Sequence, residues 1–242
     1  MTWNLLHGGE SRLPRILSLV EREQPDVLAL QELRGFPRAE FEAATGLTGH
    51  VARSVFGQPV GVFWRPSLTI TGRRSFRWQL HHAASAVTLR SGGESLTVVS
   101  AHLNPYASER RRREAVWLTA RLDHRGPVVL AGDLNSLSVP GPLPPLYRRR
   151  HLGPDGEIDT RAMAAFARVF SDAWLEVGEG DGTTVPTALR SAEFAPMRLD
   201  YVLLAGGLHA ASARVVRDDP DASDHYPVVV SLRWPPARAT LD

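Results

Sequence analysis

Apolar residues along the chain follow two rhythms. Leu13, Ile16, Leu17 and Val20 fall at i, i+3, i+4 and i+7, which places them on one face of a helix. That spacing predicts a helix over residues 11–24, with Ser11 as N-cap, Pro14 tolerated in the first turn and Pro25 as the stop. A second helix is expected over 108–122, capped by Ser108 with Ala115, Leu118 and Leu122 facing inward, and a third over 160–176. Short runs rich in Val, Leu and Ala lie at 26–30, 60–64, 85–89, 96–101 and 128–131, and later at 198–204, 213–217 and 227–232. Runs of this length, bounded by turn residues, read as buried strands. Ser91-Gly92-Gly93-Glu94 joins two of them as a hairpin turn. Pro140-Gly141-Pro142-Leu143-Pro144-Pro145 excludes helix and central strand, and with residues 147–157 it makes one long loop.

Hairpins mixed with helices, and no clean linker, suggest a single α/β domain over residues 1–242, built on sheets with helices outside. The chain is 43% hydrophobic and 22% charged, values that exclude disordered, collagen-like and coiled-coil rod classes. No stretch of 18 apolar residues occurs, so no membrane span is expected. No basic-then-apolar leader opens the chain, and a cytoplasmic location is the expectation. Cys is absent, which removes disulfides, zinc–thiolate sites and thiol nucleophiles. A pI of about 9.5 suggests a polyanion partner, yet the net charge is only +2. All 28 basic residues are Arg, so little titrates between neutrality and pH ~10. The high pI follows from that composition.

Polar residues collect where the apolar runs end: Asn4, Glu32, His102, Asp133 with Asn135, Asp200, and Asp224 with His225. A strand that stops at Asp or Asn is ordinary turn chemistry taken singly. As a set the residues are chemically coherent, because strand ends on a rigid scaffold converge side chains on one point. Four carboxylates, two amides and two imidazoles, with no thiol, suit a hard cation such as Mg²⁺ or Mn²⁺. That combination suits attack of water on a phosphoester.

These residues carry a resemblance. In order along the chain stand Thr2-Trp3-Asn4, Gln31-Glu32 closing "PDVLALQE", Ser100-Ala101-His102-Leu103, Gly132-Asp133-Leu134-Asn135, Arg198-Leu199-Asp200-Tyr201 and Ser223-Asp224-His225-Tyr226-Pro227. Together they resemble the motifs of the endonuclease/exonuclease/phosphatase superfamily, with its deoxyribonuclease-I-like fold. The resemblance implies a four-layer α/β sandwich: two packed, mainly antiparallel sheets flanked by helices, with a cleft at one edge. It implies a divalent-metal-dependent hydrolase of phosphoesters, a nuclease or a small-molecule phosphodiesterase or phosphatase. By position, Glu32 resembles the main metal ligand, helped by Asn4 and Asp224. His225 resembles the imidazole at the scissile phosphate, Asp200 its carboxylate partner, and Asp133 the residue that positions or deprotonates water, with Asn135 beside it. His102 resembles a donor to a phosphate oxygen. Either His225 or Asp133 satisfies the demand for a general base. Two departures stand out. Only Met1 precedes the first motif, so that strand is expected to be short. Leu6 stands where some repair-nuclease relatives carry an acid, which favours one strongly held metal. The alternative is a non-hydrolytic or repurposed member, a binding module or an enzyme of a specialised biosynthetic pathway; retention of Glu32, Asp200, Asp224 and His225 weighs against it.

The substrate is less legible. Arg110-Arg111-Arg112-Arg113 opens a predicted helix just after His102, where cations oppose the helix dipole; the run is either an anion contact or a solvated face paired with Glu109 and Glu114. Arg110 and Tyr106 are the substrate-side candidates, Tyr106 by contact with a phosphate or by stacking. Arg148-Arg149-Arg150 is placed as one wall of the cleft or as a solvated run, and His81-His82 at the cleft mouth or in an ordinary loop. Trp117, Trp174 and Trp64 are expected in the core. Setting the four site carboxylates aside leaves 22 acids against 28 Arg, a surplus that attracts a phosphorylated ligand without the basic stripe of a tight duplex binder. A phosphoester, either nucleic acid or a small phosphorylated molecule, is the expected partner, and a monomer the expected state.

Overall fold

The computed structural model describes residues 1–91, 93–139, 143, 145–191 and 195–234. In chain order the elements are β1 (Thr2–Asn4), α1 (Leu13–Glu23), β2 (Val27–Gln31), α2 (Arg38–Thr45), β3 (Thr48–Ala52), β4 (Val60–Trp64), β5 (Thr69–Phe76), β6 (Ala83–Ser91), β7 (Glu94–His102) and α3 (Ser108–Arg121). They continue with β8 (Val128–Asp133), α4 (Pro145–His151), α5 (Arg161–Phe166), β9 (Ser171–Asp172), α6 (Ala173–Val177), β10 (Asp200–Ala205), β11 (Ala210–Val215) and β12 (Val228–Leu232). Two six-stranded sheets result, ordered β11-β12-β1-β2-β4-β3 and β5-β6-β7-β8-β10-β9. Each is mainly antiparallel, with one parallel pair near its middle: β1 with β2, and β7 with β8.

Strand periodicity explains the layers. In β2, Leu28 and Leu30 face one way and join Trp3, Ile16, Leu19, Phe41 and Phe63 under α1 and α2. Ala29, between them, faces the other sheet and joins Val62, Val98, Val129, Ala131 and Val202 in the inter-sheet core. In β8, Leu130 likewise packs with Leu118, Met163 and Phe166 of α3 and α5. Strands buried on both faces need continuous apolar sequence, which is why 27–30 and 128–131 carry no polar alternation. Among the described residues, no helix is long and apolar enough to cross a membrane.

The two parallel pairs set the site. Asn4 pairs with Gln31 at the C-terminal end of one, and His102 with Asp133 at the C-terminal end of the other. Asp200 is the register partner of Asp133 across the neighbouring strands. Directly beneath, the buried Gln31 amide donates to Ser100 Oγ at 3.0 Å, and Ser100 Oγ donates to the Leu30 carbonyl. Both sheets are therefore tied together by hydrogen bonds just under the functional end.

Several sequence expectations are corrected. Ser11 caps nothing: it lies in an irregular 3₁₀ turn over His7–Arg12, and Arg12 precedes α1 with no side-chain cap. Ser108 is the first residue of α3; its hydroxyl donates to the Leu152 carbonyl. Asn104 takes the turn-closing role, its Oδ1 accepting from the Tyr106 and Ala107 N–H groups. The helix expected over 160–176 is broken by β9, because Asp172 accepts from the Trp174 N–H as the cap of α6 and pairs with Arg198 at 2.7 Å. Residues 145–151, expected as loop, form α4; Pro stands at its first position, where a missing N–H is harmless. The rest of the Pro-rich expectation, at 140–142 and 144, lies outside the described residues, as does Gly92 of the hairpin turn. Trp64 is buried as expected and Trp117 packs against the core, whereas Trp174 is only half-buried. Elements α2, β3 and β5 carried no signal strong enough to predict.

Gly132 shows how tightly β8 approaches β7. Its φ is +147°, and a Cβ there would sit 1.9 Å from the Ala101 carbonyl oxygen. Gly35 also has positive φ, +73°, but faces open space. Gly132→Ala is therefore expected to destabilise the fold by about 4 kcal/mol or more, and Gly35→Ala by only about 1 kcal/mol from backbone strain. Urea unfolding of both variants measures the contrast; equal effects would mean that the β7–β8 contact is not the cause.

Candidate active site

The centre of the site is the carboxylate of Asp133, the last residue of β8. Its Oδ2 accepts from Asn4 Nδ2 at 3.0 Å and lies 3.3 Å from His102 Nε2 and 3.7 Å from His225 Nε2. Its Oδ1 accepts the Asn135 N–H at 2.9 Å. Three strand ends and the loop carrying His225 thus meet on one group that is almost completely buried. Burial alone would raise the carboxyl pKa, but the rings of His102 and His225 and the Asn4 amide outweigh it and hold Asp133 well below the usual carboxylate range. For both rings burial disfavours charge, yet each ends above the ordinary histidine value. His102 is raised by Asp133, and His225 strongly by Asp200 and Asp133.

His225 is fixed from two sides. Its Nδ1 lies 2.7 Å from Asp200 Oδ2, so the Nδ1 proton is held there and Nε2 faces Asp133. Its own backbone carbonyl accepts from the Trp3 indole N–H at 2.8 Å. Asp200 is set in turn by Thr184, whose Oγ1 accepts the N–H groups of Leu199 and Asp200. Asp200 Oδ1 is buried with no hydrogen-bond partner among the described residues.

Across the centre, Asn4 Nδ2 also donates to Glu32 Oε1 at 3.2 Å, while Glu32 Oε2 accepts the His7 N–H at 3.3 Å. Glu32 and Asn135 are non-glycine residues with φ of 58° and 47°, a conformation that concentrates at functional sites. Asp224 is buried, and burial, then the like charges of Glu32 and Asp133, raise its pKa despite His225. Arg190 Nε stands 3.5 Å from its Oδ2. Asp133, Asp200 and His225 place ligand-type atoms within 4.8 Å of one another. The Asp200–His225 contact is a short hydrogen bond, and a ring nitrogen that donates a proton has no lone pair for a cation. Glu32 and Asp224 are close enough for the charge of Glu32 to raise the Asp224 pKa.

All eight residues from the ends of the apolar runs are thus gathered at one end of the two sheets. The two substrate-side candidates sit outside the cluster: Arg110 is exposed, and Tyr106 is 59% exposed. The Arg run divides. Arg112 and Arg113 pair with Glu109 on the solvent face, while Arg111 is fully buried and donates to the Asn104 carbonyl. Glu114, weighed as a surface partner for this run, is buried instead and receives the His81 and Asn104 N–H groups, both at 2.7 Å. Burial raises its pKa. His82 stacks on His102 with centroids 3.8 Å apart and planes 11° from parallel. Burial and the neighbouring His102 hold its pKa far below the histidine norm. Trp3, Thr184, Arg190 and Arg12, which donates to the Leu5 and Ala222 carbonyls, were missed as supports. Only Trp3 stood inside a motif; the others support the site through backbone and charge contacts that leave no sequence pattern. Arg148 and Arg149 are exposed on α4.

Comparison with known proteins agrees with this fold. A family model described as "Endonuclease/Exonuclease/phosphatase family" matches residues 1–225. No curated protein matches the sequence. Among solved structures, an endonuclease/exonuclease/phosphatase from Bacteroides vulgatus superposes with a TM-score of 0.77 at 16% identity, covering 96% of this chain and 97% of its own. A Bacteroides thetaiotaomicron mannosyl-6-phosphatase gives 0.75 at 17% identity, over 96% and 98%. The human Nocturnin catalytic domain, with a bound sulfate anion, gives 0.72 at 19% identity, over 96% and 92%. At these identities the likeness establishes the fold.

The Asp200–His225 pair has a pH signature. A histidine raised in the folded state stabilises it fully below its unfolded pKa of about 6.5, and that stability is lost as pH rises through the folded value. Asp200→Asn is expected to lower the His225 pKa, measured by NMR titration of the ring in EDTA. The stability advantage of the wild type should be largest below pH about 6.5 and shrink above it. An unshifted His225 titration would contradict the pairing.

Proposed function

Because the chain belongs to the endonuclease/exonuclease/phosphatase family, we propose that the Asp133 cluster is the active site of a divalent-metal-dependent phosphoester hydrolase. Its substrate is a nucleic acid or a small phosphorylated molecule, attacked at phosphorus by water. The observation that carries this reading is a buried Asp133 carboxylate 3.3 Å from His102 Nε2 and 3.7 Å from His225 Nε2, beside an oxygen-rich group of Glu32, Asn4 and Asp224.

The fit for a hard cation comes from chemistry and charge. Burial and then the nearby charge of Glu32 raise the Asp224 pKa, a repulsion that Mg²⁺ or Mn²⁺ would relieve. Glu32, with Asp224 and Asn4, is the set that would hold the ion; Asn4 presents nitrogen to both Glu32 and Asp133 in the structure, and binding a cation calls for its amide oxygen instead. When bound, such an ion supplies positive charge to the phosphoryl oxygens and acidifies water.

The remaining work falls to the chain's own groups. Asp133 is ionised, so it accepts a hydrogen bond from the attacking water and orients it. His225, charged and oriented by Asp200, offers its Nε2 proton to a phosphoryl oxygen or to the leaving group. His102 adds a second positive charge against the developing phosphorane. Asn135, anchored through Nδ2 to the Leu103 carbonyl at 3.2 Å, holds the Asp133 turn. Arg110 and Tyr106 meet the substrate at the mouth.

The test is hydrolysis of bis(p-nitrophenyl) phosphate, p-nitrophenyl phosphate and single-stranded DNA, with Mg²⁺ or Mn²⁺ and with EDTA. Turnover on at least one substrate, lost in EDTA, is expected. Glu32→Ala and His225→Ala should each lower kcat/KM by about 100-fold or more. Retained activity in either variant displaces that residue from its role, and a folded protein inert on the whole panel overturns the reading.

A further inference from the structure

The two histidines that face Asp133 are held by different means. His225 has a carboxylate on its far ring nitrogen, Asp200 at 2.7 Å from Nδ1. His102 has no counterpart: its Nε2 lies 3.3 Å from Asp133, and its Nδ1 is buried with no hydrogen-bond partner among the described residues. The outer torsion of a histidine side chain is soft, so one contact at Nε2 leaves the tilt of the ring open. What bounds it is a neighbouring ring. His82 lies parallel to His102, with centroids 3.8 Å apart and planes at 11°. His82 is itself fixed, because the Gln58 N–H donates to its Nδ1 at 2.7 Å and the neutral ring then carries its proton on Nε2.

Such a stack is only as well placed as the two backbones that carry it. His82 precedes β6 and His102 ends β7, and the ladder between these strands stops at Ala83 opposite His102. Beyond that pair the N–H groups of His81 and Asn104 have no ladder partner, and a buried N–H needs one. Glu114 of α3 supplies both: Oε1 accepts from His81 and Oε2 from Asn104, each at 2.7 Å. The buried carboxylate thus stands where the next rung of the ladder would be, one oxygen to each chain. Arg111 of the same helix donates to the Asn104 carbonyl at 2.9 Å, and the Leu103 N–H donates to the Asp133 carbonyl at 3.1 Å. Glu114 itself takes no part in the hydrolytic steps.

We propose that Glu114 is a positioning residue for His102. By clamping the ends of β6 and β7 it fixes the His82–His102 stack, and with it the angle at which His102 Nε2 meets Asp133 and a phosphoryl oxygen. Glu114 does for His102, through the backbone, what Asp200 does for His225 directly. The role rests on the phosphoester reading above and extends it to a side chain that touches neither Asp133 nor the groups that would hold the metal. A carboxylate suits the task because it has two acceptor oxygens and no donor. A glutamine has one acceptor oxygen and an NH₂ group that repels the second N–H, so Glu114→Gln keeps the size and can keep only one of the two bonds.

Two measurements test it: steady-state kinetics with Mg²⁺ on whichever phosphoester of the panel above is hydrolysed, and histidine-ring NMR of the metal-free protein in EDTA. Glu114→Gln is expected to lower kcat by about 10-fold or more while KM stays within about 2-fold. It should also shift the His102 ring signals and leave those of His225 in place. Leu118→Ala, in the buried core one turn further along α3, controls for lost stability alone. It should lower the urea midpoint at least as far, with kcat and the His102 signals unchanged. Should Glu114→Gln fail to fold, Glu114→Asp replaces it with the same expectations, since its shorter arm cannot span both N–H groups. A wild-type kcat in the Glu114 variant, unmoved His102 signals, or an equal fall of kcat in Leu118→Ala would each overturn the proposal. Shifted His102 signals in a folded protein that hydrolyses no phosphoester would support the positioning role while sinking the hydrolytic reading, so the two failures are distinguishable.

Discussion

A single buried carboxylate, Asp133, joins both halves of this molecule. It accepts from Asn4 of one sheet, lies against His102 of the other, and faces His225 at the end of the chain's last motif. An isolated carboxylate so deep would be strongly disfavoured as an ion. Here two imidazoles and an amide reverse that preference, and the carboxylate reverses theirs. The charges sustain one another, with Asp200 adding its own support to His225.

The sheets exist, in functional terms, to bring these groups to one place. Each carries a parallel pair near its middle, and the C-terminal ends of those pairs supply Asn4, the entry to Glu32, His102 and Asp133. The Gln31–Ser100 bond locks one pair against the other just below. Strain accumulates at the same end, with Glu32 and Asn135 in left-handed backbone conformations. Rigid strands below and strained turns above are the arrangement expected where side chains must be held to a fraction of an ångström.

Much of this was legible in the sequence, and the reasons differ by residue. The apolar runs at 27–30 and 128–131 announce strands buried on both faces, and the polar residues at their ends meet around Asp133. The face of Ile16 and Val20 predicted α1, but Ser11 did not cap it, because the preceding turn is shaped by its packing on the Glu32 loop, where Gly8 N–H donates to the Glu32 carbonyl at 2.6 Å. The third helix failed because Asp172 serves as cap, strand residue and ion-pair partner at once, and tertiary pairing with Arg198 overrides local propensity. In the Arg110–Arg113 run, composition could not separate Arg111, sealed in the interior, from Arg112 and Arg113 in solvent. Glu114 was hidden by the same run: among arginines it looks like a surface partner, and only the fold reveals that it receives two backbone N–H groups. His82 stood beside His81 with nothing to mark one as buried and the other as half-exposed.

The account turns on the negative charge of Asp133, and Asp133→Asn removes that charge while keeping size and shape. The decisive measurement is the metal-dependent rate of phosphoester hydrolysis by this variant, in protein whose circular dichroism matches the wild type. A fall of about 100-fold or more is the predicted result. A rate within a few-fold of the wild type would contradict the claim that this buried anion organises the chemistry.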